Sequence, residues 1–361
     1  MGKARAVWVA RKISVNRRAL VVGATGVVGS RLVEALAASD FSVVGLCRTP
    51  PPPSGQTEYL VADLLDYETS KNVLSKVTDV THVFYTARAN HGEGRVEPIE
   101  ENITMLKNVV ELVDKYAPDL KHVHVVHGAK YYGCHLGPYK TPAREDDPRH
   151  IGPNFYYDQQ DYLTSRSGRW RWSISRPALV YDCAPRQSRN PVSLIAVYAE
   201  LSRALGLPLE YPGTKIGYSA IAEAVSAAHL GKAIVWMATV DQCADQAFNV
   251  TNGDCFRWEN LWPEIAAFFD LPVGIPRDLN LSRAMAGKEE LWADIVQRQK
   301  LTPSNIDSLA QWPFGDFMFG QKWDLLMSTT KLAASGFTDI VDTRDMLFEY
   351  FEEYRASKII P

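Results

Sequence analysis

The amino-acid sequence predicts an α/β fold built on a parallel sheet, and three observations lead to this expectation. Short apolar runs alternate with helical patterns through the first half of the 361-residue chain. A glycine-rich turn connects the first apolar run to the first helical pattern. After about Pro191, aromatic residues and prolines become denser and helical patterns dominate. We therefore expect a Rossmann-type, doubly wound parallel sheet followed by a smaller, mostly helical C-terminal lobe.

The apolar runs place the elements in chain order. Strands are predicted at 19–22, 41–46, 58–62, 82–85, 122–127 and 172–177, with an exit segment at 178–181. Helices are predicted at 67–77 and 97–116, and a further helix at 221–239 in the second half. One more strand, at 247–250, would return to the sheet. We expect a nucleotide-binding Rossmann domain over 19–190 and a substrate-binding lobe over 191–361, with about 245–256 returning to the sheet.

Composition and charge exclude several kinds of protein. Apolar residues make up 46% of the chain, which is enough for a sizeable core. A net charge of −3 and a pI near 6.3 argue against a general nucleic-acid-binding protein. The five cysteines are scattered and form no C-x-x-C pair, so we expect neither a disulfide framework nor a metal site, and a reducing, cytoplasmic location. No apolar run reaches the roughly 20 residues that a membrane span needs.

The N-terminal segment and the assembly are less constrained. Residues 1–18 are basic and lack acids, so we expect a flexible leader, with a targeting segment as the alternative. Homodimers are common among related folds, and the sequence leaves the oligomeric state open.

The most informative segment is the glycine turn at 23–29, which follows an apolar run and opens a helical pattern. Its spacing, G-x-x-G-x-x-G, is typical of short-chain dehydrogenases. Glycines let backbone N–H groups approach phosphate oxygens, and the dipole of the following helix favours negative charge. A glycine triplet alone is a weak signal, but its place directly after a strand makes it specific; an ordinary strand–helix turn is the alternative. We predict a dinucleotide diphosphate bound by Gly23, Thr25, Gly26, Val27, Val28 and Gly29.

The end of the second predicted strand indicates which dinucleotide binds. An acidic residue there would hold the ribose 2′-hydroxyl of NAD, but this chain has Arg48 and Thr49. A guanidinium and a hydroxyl suit a 2′-phosphate, so we predict NADPH/NADP+ as the cofactor, with a solvated surface arginine as the alternative. Asp63 and Leu64, after the third strand, are predicted to contact the adenine, although Asp63 could equally cap the next helix.

The usual catalytic pair of a short-chain dehydrogenase, Tyr-x-x-x-Lys on one helix, is missing. Tyr156 is followed four residues later by Gln160, and Tyr157 by Asp161. Three interpretations remain: an inactive enzyme, a binding protein, or a lysine delivered from another segment. Lys130 follows the fifth predicted strand, at the carboxyl edge where ligands bind in a doubly wound sheet. There it can point to the same place as Tyr156, and a surface lysine is the alternative.

Two segments carry a resemblance to a known family. They are Gly-x-Lys-x-Tyr at 128–132 and Asn-Phe-Tyr-x-x-x-x-Asp at 154–161. Further matching segments follow in order at 175–181, 252–258, 328–337 and 358–361. With these motifs the chain resembles the progesterone 5β-reductase / iridoid synthase family, an atypical branch of the extended short-chain dehydrogenases. The resemblance spans nearly everything from Ala19 to the C-terminus.

The resemblance implies NADPH-dependent 1,4-reduction of the C=C bond of an α,β-unsaturated carbonyl, with a small hydrophobic enone or enal as substrate. Negative charge would build on the carbonyl oxygen as an enolate. The resemblance makes Tyr156 and Lys130 the catalytic residues: the phenol donates a hydrogen bond to that oxygen, while the lysine lowers the pKa of the tyrosine and adds positive potential. By the same resemblance Phe314 falls on a substrate-pocket aromatic, and Val180 falls where the backbone contacts the nicotinamide carboxamide. Ordinary core packing is the alternative for Tyr156 and Phe314.

Three residues depart from the pattern of that family. His127 stands where threonine is usual; we expect a structural histidine with its hydrogen bonds satisfied, and a role in tuning the site is the alternative. Arg88 stands near the pocket mouth in place of tryptophan, where it would make the substrate site more polar, suit an anionic substrate, or point to solvent. Asp182 replaces a glycine after the sixth strand. A carbonyl reductase or epimerase, an NADP-sensing regulator, and a cyclase or isomerase remain the alternative functions.

Overall fold

The structure is a computed structural model that describes residues 17–52, 57–89, 97–166, 168–184 and 188–361. Residues 1–16 of the predicted leader lie outside this part. The described chain forms a seven-stranded sheet in which every neighbouring pair is parallel, together with two small two-stranded sheets. The strands are β1 Arg17–Val22, β2 Phe41–Cys47, β3 Glu58–Val61, β4 His82–Tyr85, β5 His122–Val126, β6 Arg171–Pro177, β7 Leu179–Tyr181, β8 Ile221–Ala222, β9 Ala224–Ser226, β10 Gln246–Val250 and β11 Phe256–Arg257.

The strand order of the large sheet is β3-β2-β1-β4-β5-β6-β10. The chain therefore winds outward in one direction from β1 to β3 and in the other direction from β4 to β10. In such a doubly wound sheet the ligand crevice lies outside the carboxyl ends of the strands, where the order reverses between β1 and β4. The predicted fold class is confirmed.

Helices cover both faces of the sheet and build most of the C-terminal lobe. They are α1 Val27–Ala37, α2 Tyr67–Leu74, α3 Ile99–Tyr116, α4 Phe155–Ser165, α5 Pro191–Ala204, α6 Lys215–Ser219, α7 Ala227–Thr239, α8 Trp258–Phe268, α9 Leu281–Ala284, α10 Glu289–Arg298, α11 Trp312–Phe319, α12 Thr330–Ala334 and α13 Thr343–Ala356. Short 3₁₀ turns lie at Ala129–Tyr132, Asp241–Cys243 and Ile306–Ser308. Within the described ranges, no helix combines the length and the apolar character needed to cross a bilayer.

Side chains along β1 alternate between two buried clusters, one on each face of the sheet. Val21 belongs to a buried cluster with residues of α1 and α7, whereas Val22 belongs to a cluster with residues of α3 on the opposite face. A third cluster fills the C-terminal lobe, where the side chains of Trp262, Trp292 and Phe351 are fully buried. Because β1 is buried on both faces, it reads as a continuous apolar run.

The predicted helix over 221–239 is only partly correct. Its first residues form β8 and β9 instead, and α7 begins at Ala227 after the N-cap Ser226. β9 pairs in parallel with β7, and the Ser226 N–H donates to Asn252 Oδ1 at 2.8 Å. Pairing with distant segments therefore overrides the local helical pattern at 221–226. The helix that follows, α7, packs against α1 of the sheet domain.

The first strand begins inside the predicted leader. β1 starts at Arg17, two residues before the expected position 19. The N–H of Arg18 donates to Thr81 Oγ1 at 3.0 Å, and its guanidinium lies 3.1 Å from Glu58 and 3.2 Å from Asp79. These cross-strand contacts extend the strand into a stretch whose charge had indicated a leader.

Asp182 connects α1 to the segment that follows β7. Its carboxylate is completely buried and accepts hydrogen bonds from Arg31 Nε at 2.8 Å and from the Cys183 N–H at 2.9 Å. Burial raises the pKa of Asp182, and the Arg31 guanidinium opposes that increase. The carboxylate therefore ties the first helix to the wall of the ligand crevice.

Candidate active site

The glycine turn has the backbone geometry of an anion-binding loop. Gly23 has φ +81°, and a Cβ atom built on it would lie 2.9 Å from the N atom of Ala87. A Cβ atom on Gly29 would lie 2.1 Å from the Gly23 carbonyl oxygen, so only glycine allows α1 to approach β1 this closely. Gly26 is the N-cap of α1 and has no side chain that could cap that helix end. The first-turn N–H groups of α1 therefore receive no hydrogen bond from an N-cap side chain at the positive end of the helix dipole.

The predicted 2′-phosphate residues follow β2 at the same edge of the sheet. The Gly23 N–H donates to the Leu46 carbonyl at 2.8 Å, which joins the glycine turn to the end of β2. Arg48 and Thr49 come directly after that strand and are exposed, as is Thr25 in the turn. The adenosine end of a dinucleotide would therefore meet these side chains at an open surface.

Asp63 does not cap the next helix, so that alternative is wrong. Its Oδ1 atom accepts the N–H of Leu65 at 3.0 Å, in a local turn. The N-cap of α2 is Asp66, whose Oδ1 atom accepts the Thr69 N–H at 3.0 Å. Leu64 is buried, and the exposed Asp63 lies just beyond β3 at the carboxyl edge. Contact of these two residues with adenine stays a prediction.

A cavity of about 440 Å³ lies between the carboxyl edge of the sheet and the C-terminal lobe. Residues from both parts of the chain form its wall, and most of them are apolar or aromatic. Seven of the predicted site residues line it: Val27, Val28, Arg88, Lys130, Tyr156, Val180 and Phe314. The helical lobe adds Tyr211, Trp258, Phe317 and Met318. The start of α1 and the predicted catalytic residues therefore line the same cavity.

Asn154 links the two segments that carry the predicted catalytic residues. It is the N-cap of α4, and its Oδ1 atom accepts the Tyr156 N–H at 3.1 Å. Its Nδ2 atom donates to the Lys130 carbonyl at 3.0 Å. A second link is the hydroxyl of Tyr157, which donates to the Tyr131 carbonyl at 2.7 Å. The asparagine of the Asn-Phe-Tyr motif thus holds α4 against the 3₁₀ turn that follows β5.

The hydroxyl of Tyr156 lies at the cavity wall, where no described residue forms a hydrogen bond with it. In the described ranges no hydrogen bond involves its Oη atom, which would lie 3.4 Å from a Cβ atom on Gly128. The ring stacks on that of His127, with centroids 4.5 Å apart. Burial raises the pKa of Tyr156 above its usual value, against the positive charges of Arg88 and Arg189. The phenol therefore stays protonated at neutral pH and can donate a hydrogen bond to a ligand.

Lys130 forms an ion pair with Glu97, a contact that the sequence did not indicate. Its Nζ atom lies 2.7 Å from Glu97 Oε1, which also accepts from Arg88 Nη2 at 2.6 Å. The ammonium lies 5.0 Å from the centre of the Phe317 ring. Burial is the largest effect on the pKa of Tyr156 and raises it, while Glu97 pairs with the ammonium, so a lowering of that pKa by Lys130 stays a prediction. A catalytic role for the pair stays a prediction.

His127 is not the hydrogen-bonded structural histidine that was expected. Only 4% of the residue is exposed, and neither ring nitrogen has a hydrogen-bond partner among the described residues. Burial lowers its pKa well below the usual value, so the ring is neutral. Its contact with the Tyr156 ring makes it part of the support for the phenol.

Sequence reasoning missed three charged residues at this site. Glu97 bridges Arg88 and Lys130, Arg189 lines the cavity 5.5 Å from the centre of the Phe314 ring, and Glu223 lines the cavity between β8 and β9. A signal existed for Glu223, since it is a lone acid within a run of small apolar residues. The local pattern had assigned that run to a helix, which hid its position.

Solved structures of known proteins support the same class of fold. The UDP-glucose 4-epimerase of Thermotoga maritima, solved with UDP-glucose, matches with a TM-score of 0.67 at 16% identity, over 94% of this chain and 99% of that chain. The UDP-glucose 4-epimerase of Thermus thermophilus, solved with NAD, matches with a TM-score of 0.65 at 18% identity, over 94% and 99%. At these identities the likeness concerns the fold alone. Together with the parallel seven-stranded sheet and the glycine turn, it defines a Rossmann-fold protein.

The family is shown by the sequence comparisons. The model of the PRISE-like Rossmann-fold domain matches residues 61–361. The 3-oxo-Delta(4,5)-steroid 5-beta-reductase of Arabidopsis thaliana is 33% identical over 365 residues, covering 95% of this chain and 93% of that protein. The (S)-8-oxocitronellyl enol synthase of Catharanthus roseus is 32% identical over 363 residues, covering 95% and 92%. The chain belongs to the PRISE-like Rossmann-fold family, and the resemblance found in its motifs is confirmed.

Proposed function

We propose that this protein is an NADPH-dependent oxidoreductase that reduces the C=C bond of an α,β-unsaturated carbonyl. The names of its relatives, a steroid 5-beta-reductase and an enol synthase, support this reaction class. One observation carries the proposal: Tyr156, whose hydroxyl is protonated, and the first residues of α1 line the same largely apolar cavity.

The glycine turn fits a dinucleotide. The uncapped N-terminus of α1 suits a diphosphate, and the space at Gly29 is too small for any side chain. When bound, NADPH would supply a hydride to the β-carbon of the substrate. The residues assigned to the cofactor are Gly23, Thr25, Gly26, Val27, Val28 and Gly29 for the diphosphate, Arg48 and Thr49 for the 2′-phosphate, Asp63 and Leu64 for the adenine, and Tyr156 and Val180 for the nicotinamide riboside end.

Tyr156 stabilises the charge that develops on the substrate. As the carbonyl oxygen becomes an enolate oxygen, the phenol donates a hydrogen bond to it inside an apolar wall. One such donor contributes about 3–4 kcal/mol to the transition state. Lys130 and Arg88 add positive potential, which Glu97 moderates by pairing with both. Phe314 and its aromatic neighbours exclude water and accept a small hydrophobic enone or enal.

The test is NADPH oxidation with 2-cyclohexen-1-one as substrate, followed by identification of the product. The expected product is the saturated ketone, with NADH less effective than NADPH. Cyclohexanone is the matched control, since a carbonyl reductase would reduce it and an enone reductase would not. Tight NADPH binding without turnover on any enone, enal or ketone would favour a sensor and overturn the proposal.

A further inference from the structure

Glu223 is a buried acid in the wall of the cavity, and the reaction proposed above does not use it. It lies between β8 and β9, is 8% exposed, and lines the same space as Tyr156. Its Oε2 atom accepts the Met327 N–H at 2.8 Å. Across the described residues no hydrogen-bond donor or cation reaches Oε1. One oxygen of the carboxyl group is thus held by the backbone, and the other is left for a proton or a ligand.

The surroundings of Glu223 favour its protonated form. Burial raises the pKa of Glu223 to about 8, the charge of Asp254 adds to this effect, and the Met327 N–H opposes it. The other titratable or charged groups on the cavity wall are Arg88, His127, Lys130, Cys134, Tyr139, Tyr156, Tyr181, Arg189 and Tyr211. Among the described residues, no ion pair involves Glu223, and Arg88 and Lys130 both pair with Glu97. At neutral pH the carboxyl group therefore carries its proton.

Strand pairing connects Glu223 to a segment that lies beside the phenol. The residue that follows Glu223 is the register partner of Leu179 in β7. Pro177 precedes Leu179 by two residues, and its carbonyl oxygen would lie 3.8 Å from a Cβ atom built on Gly128. The Oη atom of Tyr156 would lie 3.4 Å from that same position. The phenol and the carboxyl group therefore line one cavity, and residues 177–179 connect the two segments that carry them.

Reduction of the C=C bond of an enone adds a hydride to one carbon and a proton to the other. The hydride adds to the β-carbon, and the former C=C electron pair becomes the enolate. The α-carbon then needs a proton, which a phenol bonded to the enolate oxygen does not supply at carbon. We propose that Glu223 donates this proton to the α-carbon, an inference that rests on the function proposed above. The enolate C=C pair takes the proton of Oε1, a Cα–H bond forms, the carbonyl is restored, and Glu223 is left as a carboxylate that regains a proton from water.

The substitution Glu223→Gln tests this role, because the amide keeps the acceptor for the Met327 N–H but has no acidic proton. The substrate is 2-methyl-2-cyclohexen-1-one, whose product has its stereocentre at the α-carbon. We expect turnover to fall by roughly 10²-fold, as for the loss of a general acid, and the product to become racemic because water protonates either face. Glu200→Gln is the matched control: Glu200 is also a buried acid with a raised pKa, but it lies on α5 outside the cavity wall.

Two further measurements separate proton donation from a structural role. Wild-type turnover should fall as pH rises through about 8, and Glu223→Gln should lose this dependence. In the substrate-free protein, infrared spectra should contain a protonated carboxyl band at neutral pH that Glu223→Gln lacks. Should Glu223→Gln fail to fold, Glu223→Asp takes its place in the same comparison of spectra, and an ionised Glu223 at neutral pH would overturn the inference.

The outcomes distinguish this inference from the proposed function. If the wild-type protein reduces the enone and Glu223→Gln does so at the same rate and with the same enantiomer ratio, the role of Glu223 is overturned. Enone reduction as the function would still stand. No reduction by the wild-type protein would overturn the function, whatever the infrared band reveals about the carboxyl group.

Discussion

Replacing Tyr156 by phenylalanine removes the hydroxyl and leaves the ring in place. Because no hydrogen bond of the described protein involves Oη, the change leaves no buried partner unpaired. The stacking on His127 at 4.5 Å depends on the ring and should persist. We therefore expect thermal stability and NADPH affinity to stay close to those of the wild-type protein.

The chemical step should respond very differently to the same substitution. One donor to a developing oxyanion is worth about 2.7–4 kcal/mol, which corresponds to a roughly 10²- to 10³-fold loss in kcat. The assay is initial-rate NADPH oxidation with 2-cyclohexen-1-one, together with a binding titration of NADPH. The loss should appear in kcat rather than in KM, since the hydrogen bond strengthens as charge develops.

The adjacent tyrosine is the matched control. The Tyr157 hydroxyl donates to the Tyr131 carbonyl at 2.7 Å and accepts the His150 N–H at 2.9 Å. Tyr157→Phe should therefore lower stability by about 1–3 kcal/mol and reduce kcat much less than Tyr156→Phe, because Asn154 still joins the two segments. Equal turnover in Tyr156→Phe and wild-type protein would refute the reasoning, as would a loss of the same size in both variants.

Three further predictions concern the cofactor, the fold and pH. Arg48→Glu should shift the preference from NADPH toward NADH by roughly 10- to 100-fold in the ratio of kcat/KM, since a charge-assisted hydrogen bond to the 2′-phosphate is lost. Asp182→Ala should lower the free energy of unfolding by about 2 kcal/mol, because a buried, charge-assisted hydrogen bond disappears. Acid should destabilise the fold, because burial lowers the pKa of His82 to about 4 and that of His124 to about 3. As pH falls below about 6.5, these histidines take up protons in the unfolded chain but stay neutral in the folded chain. The free energy of unfolding therefore falls by about 1.4 kcal/mol per pH unit for each histidine.

Each of these predictions has its own control. An unchanged nucleotide preference in Arg48→Glu would end the assignment of that arginine. Asp161→Ala removes an exposed ion pair with Arg149 and should cost at most about 1 kcal/mol, so equal losses in the two aspartate variants would contradict the argument. Urea denaturation between neutral pH and pH 4.5 should be less pH-dependent in His124→Gln, and an identical slope would exclude this histidine as a source.

Local patterns were sufficient for most of the sheet. The strand predicted at 82–85 coincides with β4, and the other large-sheet strands differ by one or two residues at an end. β1 and β4 are buried along most of their length, so each contains a continuous apolar run, whereas β3 at the sheet edge is partly exposed. The segment 221–226 shows the limit, because its small apolar residues fit a helix equally well until β9 pairs with β7.

The candidate site was predictable only in part. Tyr156 and Lys130 stand in motifs, and the structure brings both to one cavity wall. Glu97 is 33 residues from Lys130, and Glu223 is 104 residues from Met327, so no local pattern announces either contact. The pKa of Tyr156 depends on burial, which is a property of the assembled cavity and of no single motif.

The sequence by itself determined the doubly wound fold and the glycine turn, since both follow from residue periodicity and from backbone freedom at short range. Only the tertiary structure decided which charges face the cavity: it paired Lys130 with Glu97, raised the pKa of Tyr156 by burial, and placed Glu223 in a largely apolar wall. The physical reason is that solvent exclusion and the distance between charges control protonation, and both are created by segments that meet only when the chain is folded.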